Sequence, residues 1–260
     1  MNSKKESLNL IDEKDLPIVV VHGTMGKSED WSRVVEELSK SRSVIRPNYI
    51  ERAVEGNSVD DLAIKDLAEE VIAAVKAEGK QRVDLVGGSL GAALATYIAA
   101  EYPEMVRSLV LVSGFRDGSD PRMNLQFKLW RRLVSTDKAA FTKLLLVSGL
   151  SPNFLSAFDE PTIDGIVEGF IASTDWRPID QVIKLDHSVN VREYAARVKA
   201  PTLLITAKHD QIVPPAYSEN LVPGAQTLEL DSGHLIFLEK PVELATAILS
   251  FCRQEAHLVS

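Results

Sequence analysis

A chain with one cysteine, Cys252, cannot close a disulfide on itself. Its stability has to come from a packed core, and such cysteine usage suits a reducing compartment. No apolar run approaches the roughly 18 residues that a membrane-spanning helix needs. The opening stretch MNSKKESLNLIDEKDLP lacks the apolar segment of a secretory signal. The expectation is a cytoplasmic protein with no membrane span. An excess of positive charge is missing as well: 29 Lys and Arg stand against 37 Asp and Glu, a net charge of −8. Nucleic acid is therefore not an expected partner, since phosphate backbones are bound by basic surfaces. No Cys/His group has zinc spacing and no loop has the phosphate-cradling pattern, so neither a metal nor an organic cofactor is expected. Internal repeats and low-complexity segments are lacking too.

What is present is 260 residues, 45% of them hydrophobic. A chain of that length buries about three quarters of its unfolded surface, enough for one large core. Short β-branched runs recur at Pro17–Val21, Ser43–Pro47, Val83–Gly87, Ser108–Ser113, Pro201–Thr206 and Thr227–Leu230. Several are apolar on both faces, as in parallel strands covered on both sides. Helical patterns separate most of them, including a long one from a cap at Ser58 to Gly79. This alternation predicts an α/β fold, a doubly wound, mostly parallel sheet. Between about Phe115 and Lys199 the alternation stops, and helical patterns follow one another over Asn124–Val134, Asp137–Leu146 and Thr162–Ser173. The expected organisation is a core of residues 1–114 and 200–260 with an all-helical cap insertion at 115–199.

The stretch VDLVGGSLGAALATYIAAEYP, Val83 to Pro103, sets Ser89 in a G-x-S-x-G frame. Chance alone produces that pattern about one time in ten in a chain this long, so its setting carries the argument. An apolar strand enters it and an alanine-rich helix leaves it, the strand–turn–helix context of a nucleophile elbow. Gly87 and Gly91 would relieve crowding at so sharp a bend, and the helix would direct its N–H groups at a developing oxyanion.

A serine hydroxyl needs a base. Of five histidines, His22, His187, His209, His234 and His257, His234 follows the strand Thr227–Leu230 and so lies at a strand's carboxyl end, where α/β sites assemble. His22 also follows a strand, but it opens a Gly-bearing loop better suited to backbone donors. The base needs an acid to fix its tautomer. Asp210, after the strand Pro201–Thr206, is the candidate, and Asp117, after Ser108–Ser113, is its rival.

With these pieces in place the chain resembles the α/β-hydrolase fold family. VVVHGTMGKSEDW is similar to the family's oxyanion-loop segment, LVGGSLGAALA to its elbow, TAKHDQIVPP to its acid loop and DSGHLIFLEKP to its histidine loop. The order Ser89, Asp210, His234 is also the family's. The resemblance implies that the backbone N–H groups of Thr24 and Leu90 form the oxyanion hole and that the helical insertion is a lid. Two departures stand out. Where many relatives carry an Asp-x-x-Gly-His-Gly-like turn, this chain reads RPNYIERAVEGNS, and only SLNLI precedes the oxyanion strand as a further strand candidate. The first one or two strands of the fold are therefore expected to be missing.

The expectation for function is a serine hydrolase that cleaves a carboxylic ester, lactone or thioester through an acyl-enzyme. The substrate is a small acyl compound; Lys128, Arg131 and Arg132 are read first as the solvated face of an amphipathic lid helix whose other face carries Leu125, Leu129 and Leu133, and otherwise as contacts to the phosphates of a coenzyme A or carrier-bound thioester. Met25 and Trp130 are candidates for the acyl pocket, and Leu125, Phe127 and Leu129 are expected to join Trp130 on the pocket wall. Trp31 and Cys252 are read as core packing. Two rivals stay open: cofactor-free C–C hydrolase, lyase or synthase chemistry on the same triad, and a ligand-binding pseudoenzyme.

Overall fold

The computed structural model describes residues 16–50 and 62–258. Every apolar run named above becomes a strand: β1 (Ile18–Val21), β2 (Val44–Ile45), β3 (Val83–Gly88), β4 (Val106–Val112), β5 (Thr202–Ala207) and β6 (Gln226–Leu230). They form one sheet in the order β2-β1-β3-β4-β5-β6, and each pairing is parallel. The stretch Ser7–Ile11 lies outside the described residues, so the expected loss of a leading strand does too. The same holds for residues 51–58 of the departing loop.

The period-two alternation of the strands divides the core. Val19, Val21, Leu85, Leu109, Leu111 and Leu204 face one side. There they meet α2 (Ile64–Ala77) and α3 (Leu90–Glu101). Ile18, Val20, Val86, Val110, Val112 and Ile205 face the other. That side is covered by α1 (Ser32–Ser39) and α12 (Pro241–Leu258). Helix α3 is buried from Leu90 to Ala100, and its small side chains let it sit close against the sheet. Helix α2 starts at Ile64, later than the Ser58 cap read from the sequence, which lies outside the described residues. Its actual start is fixed by the Asp66 carboxylate, which accepts from the Ala63 N–H at 2.7 Å. Gly79, at φ +66°, ends it.

Between β4 and β5 lie α4 (Pro121–Thr136), α5 (Lys138–Gly149), α6 (Pro152–Leu155), α7 (Glu160–Ser173), α8 (Ile179–Ser188) and α9 (Arg192–Ala195). The sequence specifies the starts of the first four. Asp120, Asp137, Ser151 and Asp159 each accept from a first-turn N–H, and a proline enters the first turn of α4, α6 and α7. The face that α4 buries is Met123, Phe127, Trp130 and Val134. Leu125 is 71% exposed and Leu129 46%, so these two do not join a pocket wall. They lie on a stripe beside the buried one, because the buried aromatics set the rotation of the helix. The aromatic chain Phe115, Phe127, Trp130, Phe141 runs on from the sheet core into this insertion. The remaining short helices are α10 (Pro215–Ser218) and α11 (Ile236–Glu239).

Below the sheet, at the start of β3, Asp84 is fully buried. It accepts from Arg42 at 2.8 Å, from Arg107 Nε at 2.8 Å and from Ser108 Oγ at 2.7 Å. Cys252 is buried beside Ser108, and its thiol is pushed up to about 12 by burial and by the neighbouring Asp84 charge. It packs as a small apolar residue.

Candidate active site

The site assembles at the carboxyl ends of β1, β3, β5 and β6. Strand β3 ends at Gly88 and α3 begins at Leu90, so Ser89 alone makes the turn, at φ 56° and ψ −119°. A non-glycine residue in that region stores strain. The Ser89 N–H donates to the Val112 carbonyl at 2.9 Å and so continues the ladder into the bend. The flanking glycines are required by space. A β-carbon at Gly87 would lie 2.1 Å from the Gly91 carbonyl oxygen, and one at Gly91 would lie 2.3 Å from that of Val21.

The loop after β1 covers the serine. A β-carbon at Gly23 would sit 3.1 Å from Ser89 Cβ, and Gly26 N–H closes a turn on Gly23 O at 3.0 Å. Thr24 follows Gly23 over the site. Leu90 opens α3, so its N–H precedes the helical ladder and has no acceptor within the helix. His22, at the root of the loop, is not placed as a base. Its Nδ1 lies 2.9 Å from Gly23 O and its ring stacks on Tyr49 at 4.4 Å. Burial lowers its pKa to about 4, against a weaker upward effect of the Gly23 hydrogen bond and the Glu29 charge.

The loops after β5 and β6 bring Asp210 and His234 together. His234 Nδ1 lies 2.7 Å from Asp210 Oδ2. The other oxygen of Asp210 accepts from the N–H groups of Ile212 (2.9 Å) and Val213 (2.7 Å). Both side chains are buried. The histidine loop is clamped from the insertion: Leu235 N–H donates to Gly149 O at 3.0 Å. Glu239 accepts from Gly233 N–H at 3.0 Å and from Ser151 N–H at 2.7 Å. The rival acid goes elsewhere. Asp117 accepts from Ser119 and from Arg192 Nε at 3.1 Å. His209 pairs with Asp231 at 2.8 Å and His187 with Asn124 at 2.6 Å.

Ser89 and His234 share the wall of a cavity of about 240 Å³. Thr24, Met25 and Trp31 line it from the core. Trp130, Leu145, Leu146, Ile166 and Phe170 line it from the insertion, and Leu235, Phe237 and Leu238 from the histidine side. Trp31, read as core packing, is buried and stacks on Phe237 at 5.4 Å, and it also reaches the cavity. Among the described residues, no lysine or arginine lines the cavity. Asp30 and His234 are its ionisable residues among those described. Arg131, one of the residues weighed as a phosphate contact, is held by Asp180 on α8 at 2.7 Å.

Three features of the site carry no signal in the sequence. Ser113, at φ 47°, reaches the same cavity, and its buried Oγ has no hydrogen-bond partner among the described residues. Tyr49 OH donates to His22 O at 2.5 Å. Asp186, on α8, is completely buried and accepts from Thr24 Oγ1 at 2.7 Å. Burial raises its pKa to about 8, and the Thr24 bond opposes that only in part. Among the described residues, no helix is long and apolar enough to cross a membrane.

The sequence pattern of the alpha/beta hydrolase fold matches residues 17–241. The chain belongs to the α/β-hydrolase fold family, and it is an α/β-hydrolase enzyme. It is 38% identical to a pyrrolizixenacetamide deacetylase of Xenorhabdus hominickii, over 94% of each chain. A 2-hydroxymuconate semialdehyde hydrolase of a Pseudomonas species is 28% identical over 90% of this chain and 86% of its own. Among solved structures, MGS-M2, an alpha/beta hydrolase from a Medee basin deep-sea metagenome library, superposes with a TM-score of 0.78 at 21% identity. It covers 91% of this chain and 89% of that one.

Proposed function

We propose that the protein is a serine hydrolase that transfers an acyl group from an ester, lactone or thioester to water by way of Ser89. Ser89 Oγ attacks the carbonyl carbon while His234 takes its proton. The N–H groups of Thr24 and Leu90 hold the oxyanion. His234 then protonates the leaving group, the acyl-enzyme forms, and a water activated by His234 frees the acid and restores the serine. Asp210, buried against His234 Nδ1, fixes the tautomer that leaves Nε2 free for Ser89 and stabilises the imidazolium. The observation that carries this reading is the 2.7 Å His234–Asp210 pair beside a serine at φ 56° on one cavity wall.

The insertion at 115–199 acts as the cap that roofs the acyl group, with Trp130 and Met25 on the acyl pocket. A wall that holds no lysine or arginine among the described residues suits a neutral, apolar acyl group, since a buried carboxylate or phosphate would need a paired cation. The identity with a protein named as a deacetylase favours adding acyl amides to the substrate range. Short p-nitrophenyl esters and acyl anilides, with product analysis by mass spectrometry, test the reading. The expected result is free acid, loss of turnover in Ser89→Ala, a fluorophosphonate adduct on Ser89, and a fall of about 10⁴ in kcat for Asp210→Asn. Full activity in Ser89→Ala would sink the reading. Cleavage of a C–C bond in preference to every ester and amide would move it to the carbon–carbon branch.

A further inference from the structure

The loop that carries Thr24 is tied to the insertion at two points. Thr24 Oγ1 donates to Asp186 Oδ2 on α8 at 2.7 Å, and Lys27 Nζ donates to the Ser173 carbonyl at the end of α7. Asp186 is itself held in place. The end of α8 packs on the chain that leaves β4 so closely that a β-carbon at Gly118 would lie 1.8 Å from the Asp186 carbonyl oxygen. Two backbone bonds lock that contact, Gly118 N–H to Val189 O at 2.8 Å and Val191 N–H to Arg116 O at 2.9 Å. The other oxygen of Asp186, Oδ1, is buried with no hydrogen-bond partner among the described residues. A carboxyl group placed at 0% exposure with half of its bonding capacity unused is a costly feature. Its one hydrogen bond among the described residues goes to Thr24, the neighbour of Gly23, whose added β-carbon would lie 3.1 Å from Ser89 Cβ.

From this geometry we infer that Asp186 is a positioning residue for the oxyanion hole: through Thr24 Oγ1 it fixes the direction of the Thr24 N–H and couples the seating of the cap to catalysis. The inference rests on the acyl-transfer reading above. Thr24 has two polar handles. Its side-chain hydroxyl is engaged by Asp186 on the insertion, so its backbone N–H is left for the substrate side. The loop over Ser89 contains Gly23 and Gly26, which resist rotation poorly. An anchor on the side chain between them supplies the stiffness that an oxyanion donor needs, because a displacement of about 1 Å costs about 100-fold in rate.

Steady-state kinetics on a short ester, with circular dichroism and urea unfolding to monitor the fold, test this. Asp186→Leu and Thr24→Val each remove the anchor, and each should lower kcat by about 10- to 100-fold with KM little changed. Asp186→Asn keeps an acceptor for the Thr24 hydroxyl and should retain kcat within about threefold. The double variant Asp186→Leu/Thr24→Val should be no worse than either single one, because both act through one bond. If Asp186→Leu does not fold, Thr24→Val alone decides. Wild-type kcat in Thr24→Val, or additive losses in the double variant, overturns the inference. Ser89→Ala separates the two levels: activity surviving in it defeats the acyl-transfer reading, whereas an inactive Ser89→Ala beside a fully active Thr24→Val defeats only the role of Asp186.

Discussion

Asp186→Asn should stabilise the protein, and by an amount that grows with pH. In the folded chain the Asp186 carboxyl is completely buried, and its pKa is raised from 3.8 to about 8, chiefly by burial. A raised carboxyl pKa means that the native state holds a proton that the unfolded chain has already released. The stability linked to this group is therefore fully present below pH 3.8 and is lost as the pH rises towards 8. Each pH unit inside that window costs about 1.4 kcal/mol. At pH 7 the wild type has crossed about three of those units, a penalty on the order of 4 kcal/mol. An asparagine has no proton to retain, yet keeps the oxygen that accepts from Thr24. Its advantage over wild type should be small near pH 4 and should widen by about 3 kcal/mol between pH 5 and pH 7. Urea unfolding of both proteins at half-unit pH steps, with the difference in free energy plotted against pH, gives the slope directly. Parallel curves for the two proteins would refute the reasoning, since they would mean that Asp186 ionises alike in the folded and unfolded states.

Three other perturbations have defined outcomes. Asp84→Ala removes the acceptor shared by Arg42, Arg107 and Ser108 beneath the sheet and should cost about 3–5 kcal/mol in chemical denaturation. A stability change under about 1 kcal/mol would show that the cluster is replaceable. Gly91→Ala sits in the first turn of α3, where alanine ordinarily gains about 1 kcal/mol over glycine. Here the added carbon meets the carbonyls of Val21 and His22 at 2.3 and 2.4 Å, so the sign should reverse and ester turnover should fall with it. Trp130→Ala opens the cavity from the cap side and should shift the kcat/KM optimum to longer acyl chains, with a stability loss of about 3–5 kcal/mol. An unchanged chain-length profile in folded protein would leave Trp130 as packing alone.

The sequence was most readable where function and local chain geometry coincide. Ser89 is legible because a one-residue strand-to-helix turn admits only glycine at Gly87 and Gly91, whose neighbours lie 2.1–2.3 Å from any added carbon. His234 and Asp210 are legible for a different reason: each follows a short apolar strand, and parallel strands deliver their carboxyl ends to one rim. Asp117 satisfies the same local criterion. Only the pairing of Asp117 with Arg192, and of Asp210 with His234, separates the two. The roof of the cavity was half legible. The caps and prolines of the insertion specify where its helices begin, but the rotation of α4 follows from the ring contacts of Phe127 and Trp130 with Phe115 and Phe141. That is why Leu125 and Leu129, on an equally regular stripe, face solvent.

Asp186 was illegible altogether, and the reason is physical. In KLDHS it reads as an ordinary polar residue in the last turn of a helix, and its partner Thr24 lies 162 positions away in sequence. Periodicity reports which face of a helix is apolar; it does not report a single carboxyl that crosses to that face. The elbow, by contrast, must be encoded locally, because the strain at Ser89 is set by its own two dihedral angles. A hydrolase of this fold can thus vary its cap without disturbing the nucleophile, provided that the cap continues to hold the loop opposite. The Thr24–Asp186 bond and the Lys27–Ser173 contact meet that condition here. On the proposed acyl-transfer reading, they would make the insertion part of the machinery that orients the carbonyl as well as the wall that selects its acyl chain. If so, exchanging the insertion for one of equal pocket size that lacks an acceptor for Thr24 should leave substrate affinity in place and lower kcat. Restoring a single buried carboxyl or amide at the position of Asp186 should then recover it.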